Sequence, residues 1–264
     1  MRYFKRNGVA NYYFSDSSNK LVLGDSLQLL PELSDGIFNM IFADPPYFLS
    51  NGGISCQGGK QVPVNKGAWD EGFTLEEKHE FNRAWIRECK HLLKPDGTIW
   101  ISGTLHNIYS VGMALEQEGF KILNNITWRK RNPPPNLACR CFTHSTETII
   151  WARPDKKKGH YFNYPLMKEL NGGKQMKDVW EGNLTPKSEK TEGKHPTQKP
   201  EYLLERIILA STQEGDLVLD PFVGSGTTSV VAKRLGRKSF GIDSSEEYLE
   251  IAKRRLASTR RHDG

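Results

Sequence analysis

The run Met40-Ile41-Phe42-Ala43-Asp44-Pro45-Pro46-Tyr47 decides the fold of this chain. Its four apolar residues predict a buried strand. The two prolines predict that this strand ends in a rigid extended turn, because proline fixes its own φ angle and restricts the residue before it. A carboxylate and an aromatic ring are thereby placed at the carboxyl end of a strand. Open parallel sheets bind their ligands at that edge, so residues 44–47 form a candidate site.

The residue types at this turn suit the modification of an aromatic exocyclic amine. The lone pair of such an amine is delocalised into the ring, which makes it a poor nucleophile. The Asp44 carboxylate and the Pro45 carbonyl could accept both amine hydrogens and localise that lone pair on nitrogen. Tyr47 could stack on a base turned out of its helix, a contact that contributes about 1–3 kcal/mol. A proline turn with a capping Asp44 and a surface Tyr47 is the alternative.

A chain of 264 residues with 37% hydrophobic content has the composition of a globular protein of one large or two small domains. It has no apolar run of about 18 residues that could span a bilayer, and no apolar signal core follows residues 1–6, so we expect a cytoplasmic protein that does not bind a membrane. Zinc-ligand spacing is absent from the four cysteines, and we expect free thiols and no metal. They are Cys56, Cys89, Cys139 and Cys141.

Charge is distributed unevenly along the chain, whose net charge is +6. Residues 129–199 hold 15 Lys/Arg against 7 Asp/Glu, a net charge of +8, so the remainder carries −2. Basic side chains interleaved with aromatic ones suit contacts to phosphates and bases. We therefore predict a nucleic-acid surface here, although a lysine triplet alone is more often a solvated turn. The predicted contacts are Arg129, Lys130, Arg131, Arg140, Lys156, Lys157 and Lys158.

Strands and helices alternate along most of the chain. Thr74 and Glu77 form a capping box that begins a predicted helix through Trp85 and Leu92. The other predicted strands cover residues 21–23, 98–102, 122–128, 146–152, 217–219 and 239–242, and the other helices cover 27–33, 108–118 and 201–211. This alternation predicts an α/β fold with a parallel sheet. Residues 94–97 are expected to form a turn, and residues 1–20 show no period and are expected to form a loose arm.

A second motif follows the predicted strand at 217–219. The run Asp220-Pro221-Phe222-Val223-Gly224-Ser225-Gly226-Thr227-Thr228 combines a strand end, a Gly-x-Gly turn and a helix start, a cradle that lets backbone amides approach a ligand. It lacks the third glycine of the dinucleotide fingerprint and the lysine of a P-loop, which argues against NAD and ATP. Asp243 comes 17 residues after Gly226, near the spacing of an acid that binds ribose hydroxyls. S-adenosylmethionine fits, since it has a ribose and a carboxylate but no phosphate.

The Asp-Pro-Pro-Tyr and Phe-Val-Gly-Ser-Gly motifs together resemble those of the amino-group DNA methyltransferases. Their order, with the catalytic motif first and a basic segment between, is similar to that of the beta class, a circular permutation of the common fold. The resemblance covers residues 21–256. It implies a mostly parallel sheet with helices on both faces. It also divides the chain into an arm (1–20), a catalytic half (21–128), a basic DNA-recognition segment (129–194), a cofactor half (195–257) and a tail (258–264).

The resemblance also implies roles for individual residues. Asp44, Pro45 and Tyr47, with Pro46 between them, would hold the target amine and its base. A larger set would bind S-adenosylmethionine: Phe222, Gly224, Gly226 and Thr227 around its methionine end with Asp220 beside them, Thr197 and Lys199 at its carboxylate, Asp243 at the ribose and Asp25 near the adenine.

Three shorter runs narrow the resemblance. Phe48-Leu-Ser-Asn-Gly-Gly53, Leu105-His-Asn-Ile-Tyr-Ser110 and His144-Ser-Thr-Glu-Thr148 are similar to runs in the accessory, GATC-directed adenine methyltransferases of Dpn-type restriction systems. That likeness implies adenine-N6 methylation in GATC on single- and double-stranded DNA, a homodimer, and a gene beside a restriction endonuclease. Methylation of the cytosine amine or of RNA, and an inactive DNA-binding subunit, are the alternatives.

Overall fold

A nine-stranded, mostly parallel sheet with helices on both faces forms the body of the protein. The computed structural model describes residues 2–5, 11–47, 54–57, 60–63, 74–193 and 195–260. Within these ranges no helix is both long enough and apolar enough to cross a membrane. The run Phe48–Gly53, which contributes to the narrow family resemblance, lies outside the described residues.

The strands and helices alternate in sequence, as predicted. The strands are β1 (Tyr12–Ser15), β2 (Asn19–Leu23), β3 (Phe38–Ala43), β4 (Ile54–Gln57), β5 (Lys60–Pro63), β6 (Leu93–Gly103), β7 (Lys121–Lys130), β8 (Thr146–Arg153), β9 (Val179–Gly182), β10 (Leu217–Asp220) and β11 (Lys238–Asp243). The helices are α1 (Ser26–Leu29), α2 (Leu75–Leu92), α3 (Ile108–Gln117), α4 (Tyr164–Leu170), α5 (Glu201–Ser211), α6 (Thr227–Arg234) and α7 (Glu246–Ser258).

The strand order of the large sheet is β1-β2-β11-β10-β3-β6-β8-β7-β9. Five adjacent strands, β2, β11, β10, β3 and β6, run parallel, so their carboxyl ends share one edge. We call it the catalytic edge because the candidate site at residues 44–47 lies on it. Strand β8 is antiparallel to β6 and β7, and β7 therefore also ends at the catalytic edge. Strands β4 and β5 form a separate hairpin.

Strand alternation divides the core into two layers. In β3, Ile41 and Ala43 pack with the side chains of α2 and α3, whereas Met40 and Phe42 pack with those of α5 and α6. Successive side chains of a strand point to opposite faces. A strand buried on both faces therefore needs an unbroken apolar run, which is the pattern that precedes Asp44.

Two helix boundaries were predicted correctly from short sequence patterns. The Glu77 amide donates to Thr74 Oγ1 at 3.1 Å and the Thr74 amide donates to Glu77 Oε2 at 2.7 Å, so the predicted capping box is confirmed. Gly119 follows α3 with a φ of +76°, the left-handed conformation expected of a helix-ending glycine.

Two predictions about local structure were wrong. Residues 94–97 do not separate a helix from a strand, because β6 already begins at Leu93. They form a bulge within β6, where Phe38 pairs with Leu93 and Met40 pairs with Thr98. The described part of residues 1–20 is not a loose arm either, since β1 pairs with β2 and the rings of Tyr3 and nearby aromatics pack around Phe240.

Candidate active site

Asp44 lies directly after β3, with its carboxylate fixed by three donors. Ser102, near the end of the neighbouring strand β6, donates its hydroxyl to Asp44 Oδ1 at 2.5 Å. The Tyr47 hydroxyl donates to the same oxygen, and Lys199 Nζ donates to Asp44 Oδ2 at 2.5 Å. The turn after β3 therefore holds a largely buried carboxylate at the catalytic edge, as predicted.

Lys199 connects this carboxylate to a second acid. Its side chain is only 6% exposed, and its Nζ lies 2.9 Å from the Tyr47 hydroxyl and 3.6 Å from Glu147 Oε2. Burial acts to lower the pKa of Lys199, but Asp44, Tyr47 and Glu147 together raise that pKa well above its ordinary value. The lysine is therefore a permanently charged ammonium at neutral pH.

Glu147, at the start of β8, is held in turn by Lys130 at the end of β7. Lys130 Nζ lies 2.6 Å from Glu147 Oε1, and the two side chains are 12% and 11% exposed. The prediction that Lys130 contacts nucleic acid is wrong, because its ammonium group is buried in an ion pair behind the Asp44 carboxylate.

The second motif forms the turn between β10 and α6. Asp220 Oδ1 accepts the Phe222 amide at 3.0 Å, and Asp220 Oδ2 accepts the Thr228 hydroxyl at 2.5 Å. Burial raises the pKa of Asp220 to about 7, although these two hydrogen bonds act to lower it. Gly224 and Gly226 have φ angles of +50° and +79°, in the left-handed region that favours glycine.

Asp243 and Asp25 lie at the ends of the adjacent strands β11 and β2. Asp243 Oδ2 accepts the Gly224 amide at 2.8 Å, and its Oδ1 accepts the Ser245 amide at 2.9 Å. A carboxylate can accept about four hydrogen bonds, so this one keeps acceptor capacity for a further donor such as a hydroxyl. Asp25 caps α1 by accepting the Leu27 amide at 2.9 Å, while the amide of Gly24 donates to the Asp243 carbonyl.

A cavity brings the two motifs together. Its walls include Asp44, Asp220 and Gly224, with Phe222 held against the Trp85 ring at a centroid distance of 5.4 Å. The other predicted residues that line it are Thr197, Lys199 and Thr227. Glycine backbone beside carboxylates and a lysine, in a site without a P-loop, fits a nucleoside cofactor that carries a carboxylate.

Comparison with known proteins decides the family. A family model described as DNA methylase, N6_N4_Mtase, matches residues 38–254. The chain belongs to this DNA methylase family. It is 70% identical to the type II methyltransferase M2.DpnII of Streptococcus pneumoniae over 256 residues, which are 96% of each chain. It is also 70% identical to M2.LlaDCHI of Lactococcus lactis subsp. cremoris, over 96% of this chain and 95% of that one.

A solved structure of M1.HpyAVI in complex with S-adenosylmethionine has the same fold. It superposes with a TM-score of 0.67 at 29% identity, over 90% of this chain and 98% of that one. This DNA methylase is therefore an enzyme that uses S-adenosylmethionine as its methyl donor.

The basic residues predicted to bind DNA separate into two groups in this methylase. Arg129 and Arg131 lie at the catalytic edge. Their side chains are 60% and 64% exposed, and their guanidinium groups lie 2.5 and 3.6 Å from Glu181. Arg140 is exposed in residues 131–145, which connect β7 to β8 at the same edge.

Lys156, Lys157 and Lys158 occupy the opposite edge. They follow Arg153, which pairs with Lys121 at the far end of β7 and β8, and the amides of Lys157 and Lys158 donate to Asp155. The pairs Ile99–Ala152 and Gly103–Thr148 span four residues of β6, a distance of about 13 Å. The lysine triplet and the arginines therefore lie at opposite edges of the sheet, because β8 carries the chain away from the catalytic edge.

Sequence reasoning missed three residues of this region. Ser102 belongs to no motif, and Glu147 falls in the run 144–148, whose family resemblance gave it no role. Each side chain points to the same side of its strand as a buried residue two positions away: Ser102 as Trp100, and Glu147 as Ile149. A polar residue with core parity at the end of a strand is a signal that could have found them. Phe142, between β7 and β8, is 96% exposed in a basic segment.

Proposed function

We propose that this DNA methylase transfers a methyl group to N6 of adenine in GATC, on single- and double-stranded DNA, as part of a restriction-modification system. The main support is that the Asp44 carboxylate, held by hydrogen bonds, lines the same cavity as the glycine turn of the second motif. The likeness to M2.DpnII and the aspartate at position 44 support adenine and GATC.

Asp44 and the Pro45 carbonyl accept the two hydrogens of the adenine amine. These two hydrogen bonds localise the lone pair on N6 and direct it toward the methyl donor. S-adenosylmethionine supplies an electrophilic methyl group, whose bond to sulfur breaks as the bond to N6 forms, and the electron pair leaves with sulfur. The amine becomes cationic during transfer and then loses a proton, so Asp44 need not be a strong base. Tyr47 stacks on the extruded base.

Phe222, Gly224 and Gly226 would hold the methionine end of the cofactor. Asp243 would bind its ribose hydroxyls through the remaining acceptor capacity of the carboxylate. Thr197 contacts the methionine carboxylate, and Asp25 lies on the adenine side. Lys199 is the residue whose predicted role changes most, since its ammonium group contacts Asp44 and Tyr47. The Thr227 hydroxyl accepts from Arg255 at 3.0 Å and helps to fix the turn.

DNA crosses the catalytic edge along residues 129–145. The connection at 131–145 carries two arginines and no acidic residue, so it suits a phosphate backbone. Phe142 is exposed beside these cations and offers a ring on which a DNA base stacks.

Two copies of the chain form a homodimer, a state that analytical ultracentrifugation measures directly.

The test of this function is methyl transfer from tritiated S-adenosylmethionine to matched oligonucleotides. One carries GATC and the other has its adenine replaced, and each is assayed single-stranded and duplex. Label confined to the GATC strands supports the proposal, and mass spectrometry of the digested product should find N6-methyladenine. Equal label on both substrates would overturn the GATC assignment, and a methylated cytosine would overturn the adenine assignment.

A further inference from the structure

Four buried charged side chains of alternating sign form a chain that ends at the catalytic carboxylate. In order they are Lys130, Glu147, Lys199 and Asp44, which come from β7, β8, the segment before α5, and the turn after β3. All four side chains are at most 15% exposed. The strand parity that buries Phe42, Trp128 and Ile149 points Asp44, Lys130 and Glu147 to the same side of the sheet.

The contacts in this chain are unequal. Lys130 Nζ is 2.6 Å from Glu147 Oε1, and Lys199 Nζ is 2.5 Å from Asp44 Oδ2. Between the two pairs, Lys199 Nζ is 3.6 Å from Glu147 Oε2. That oxygen is buried and accepts no hydrogen bond from any residue that the structure describes. A buried carboxylate oxygen without a hydrogen-bond donor lowers the stability of the folded protein, which suggests that it has a role in function.

The target amine and Lys199 compete for the same acceptor. In the present arrangement Lys199 donates to Asp44 Oδ2, while Ser102 and Tyr47 donate to Oδ1. Oδ2 keeps a second lone pair, but an amine that takes the position of the ammonium group on Oδ2 displaces Lys199 from it. An ammonium displaced without another acceptor would be a buried unpaired charge, which is strongly unfavourable. Glu147 Oε2 offers that acceptor, because a shift of about 0.8 Å brings Lys199 to ordinary charged hydrogen-bond distance.

We propose that Lys199 moves from Asp44 to Glu147 when the target amine binds, and that Glu147 is the positioning residue that receives it. The proposal rests on the proposed function, since it needs an amine at Asp44. Lys130 fixes Glu147 by its other oxygen and leaves Oε2 directed at Lys199. Asp44 is thereby occupied in the free enzyme and released for the substrate without leaving a buried cation unpaired.

The groups that face Lys199 determine how its release depends on pH. Asp44, Tyr47 and Glu147 surround it, and Lys130 lies behind Glu147. Replacement of Glu147 by glutamine removes an anion and lowers the pKa of Lys199. In that variant a rising pH should convert Lys199 to a neutral amine that no longer holds Asp44 tightly.

The experiment compares Glu147→Gln with wild type in single-turnover methylation of a GATC duplex between pH 7 and pH 10. At pH 7.5 the variant should be slower by at least about tenfold, because a hydrogen bond to a charged group contributes this much or more. Its affinity for S-adenosylmethionine and for DNA should be unchanged. The ratio of wild-type to variant rate should fall as pH rises.

Glu118→Gln is the matched control, since Glu118 is also 11% exposed and paired with two arginines, Arg83 and Arg87, away from the catalytic edge. It should lower thermal stability without a pH-dependent rate ratio. A Glu147→Gln rate within twofold of wild type, or a rate ratio constant with pH, would overturn the proposal. Those outcomes need an active wild-type enzyme, whereas failure of the proposed function shows as wild-type enzyme without adenine methylation.

Discussion

Lys199 Nζ lies 2.5 Å from Asp44 Oδ2, although 155 residues separate the two in the chain. Asp44 follows β3 in the amino-terminal half, and Lys199 comes just before α5 in the carboxyl-terminal half. Neither half alone therefore provides all the contacts of the Asp44 carboxylate. The parallel pairing of β3 with β10 and β6 brings the two halves to one edge.

Asp44→Ala should abolish methylation while leaving cofactor binding largely intact. Removal of a preorganised charged group at a reacting centre costs about 100- to 1,000-fold in rate, and Asp44 is proposed to hold the reacting amine itself. Tritiated methyl transfer measures the first effect and equilibrium dialysis of S-adenosylmethionine the second. Asp35→Ala is the control, since Asp35 is a surface residue paired with Lys5. An Asp44→Ala enzyme with near-full turnover would refute the mechanism.

Gly226→Ala should weaken cofactor binding by tenfold or more. A Cβ at this position would lie 2.7 Å from Ala252 Cβ and 3.0 Å from its Cα, so the turn must shift against α7. Gly215→Ala separates this clash from backbone strain, because Gly215 has a similar φ of +82° with nothing within 4 Å of the added atom. It should cost only about 1–2 kcal/mol of stability. Equal dialysis constants for the two variants would contradict the assigned role of Gly226.

Asp220→Asn should stabilise the cofactor-free protein more at pH 8 than at pH 5. Burial raises the pKa of Asp220 to about 7, so the native state holds a proton that the unfolded state releases near pH 4. The carboxyl's stabilising contribution is therefore complete below pH 4 and is lost as pH rises through 7. Asparagine avoids this loss, so its expected gain is about 3 kcal/mol larger at pH 8 than at pH 5, or roughly 6–12 °C in Tm.

Thermal unfolding of both proteins across this pH range measures the difference. The amide can keep both contacts of Asp220, since it can accept from the Phe222 amide and donate to the Thr228 hydroxyl. A Tm difference that stays constant between pH 5 and pH 8 would mean that Asp220 does not titrate in this interval.

Arg140→Gln should reduce DNA affinity and its dependence on salt. One lost phosphate contact lowers the slope of log affinity against log salt by about 1. Phe142→Ala should lower affinity with an unchanged slope, because a stacked ring releases no counterion. The triple replacement of residues 156–158 by glutamine should change neither, since this turn lies at the opposite edge. Fluorescence anisotropy titrations at several salt concentrations separate the three variants, and a strong effect of the triple variant would relocate the DNA surface.

The features predicted correctly from the sequence are those that depend on residues close together in the chain. Thr74 and Glu77 satisfy each other's amides across three positions, and the apolar run before Asp44 needs only the period of a strand. It did not predict the partners of Lys199 or Lys130, because those depend on strand register between distant segments. In the sequence, Lys130 is one of several cations in a basic segment. Only the pairing of β7 with β8 places its ammonium group next to Glu147.

Residues 131–145 enter and leave the fold at a single point, where the Lys130 amide donates to the Ser145 carbonyl at 2.7 Å. The pairing of β7 with β8 fixes the two ends of this connection, independently of the sequence between them. The entropy cost of closing a loop grows only slowly with its length. Insertions, deletions or wholesale exchange of this connection therefore leave the catalytic edge in place. If DNA crosses this connection as proposed, replacing it alone should change the DNA contacts while the rest of the chain stays unchanged.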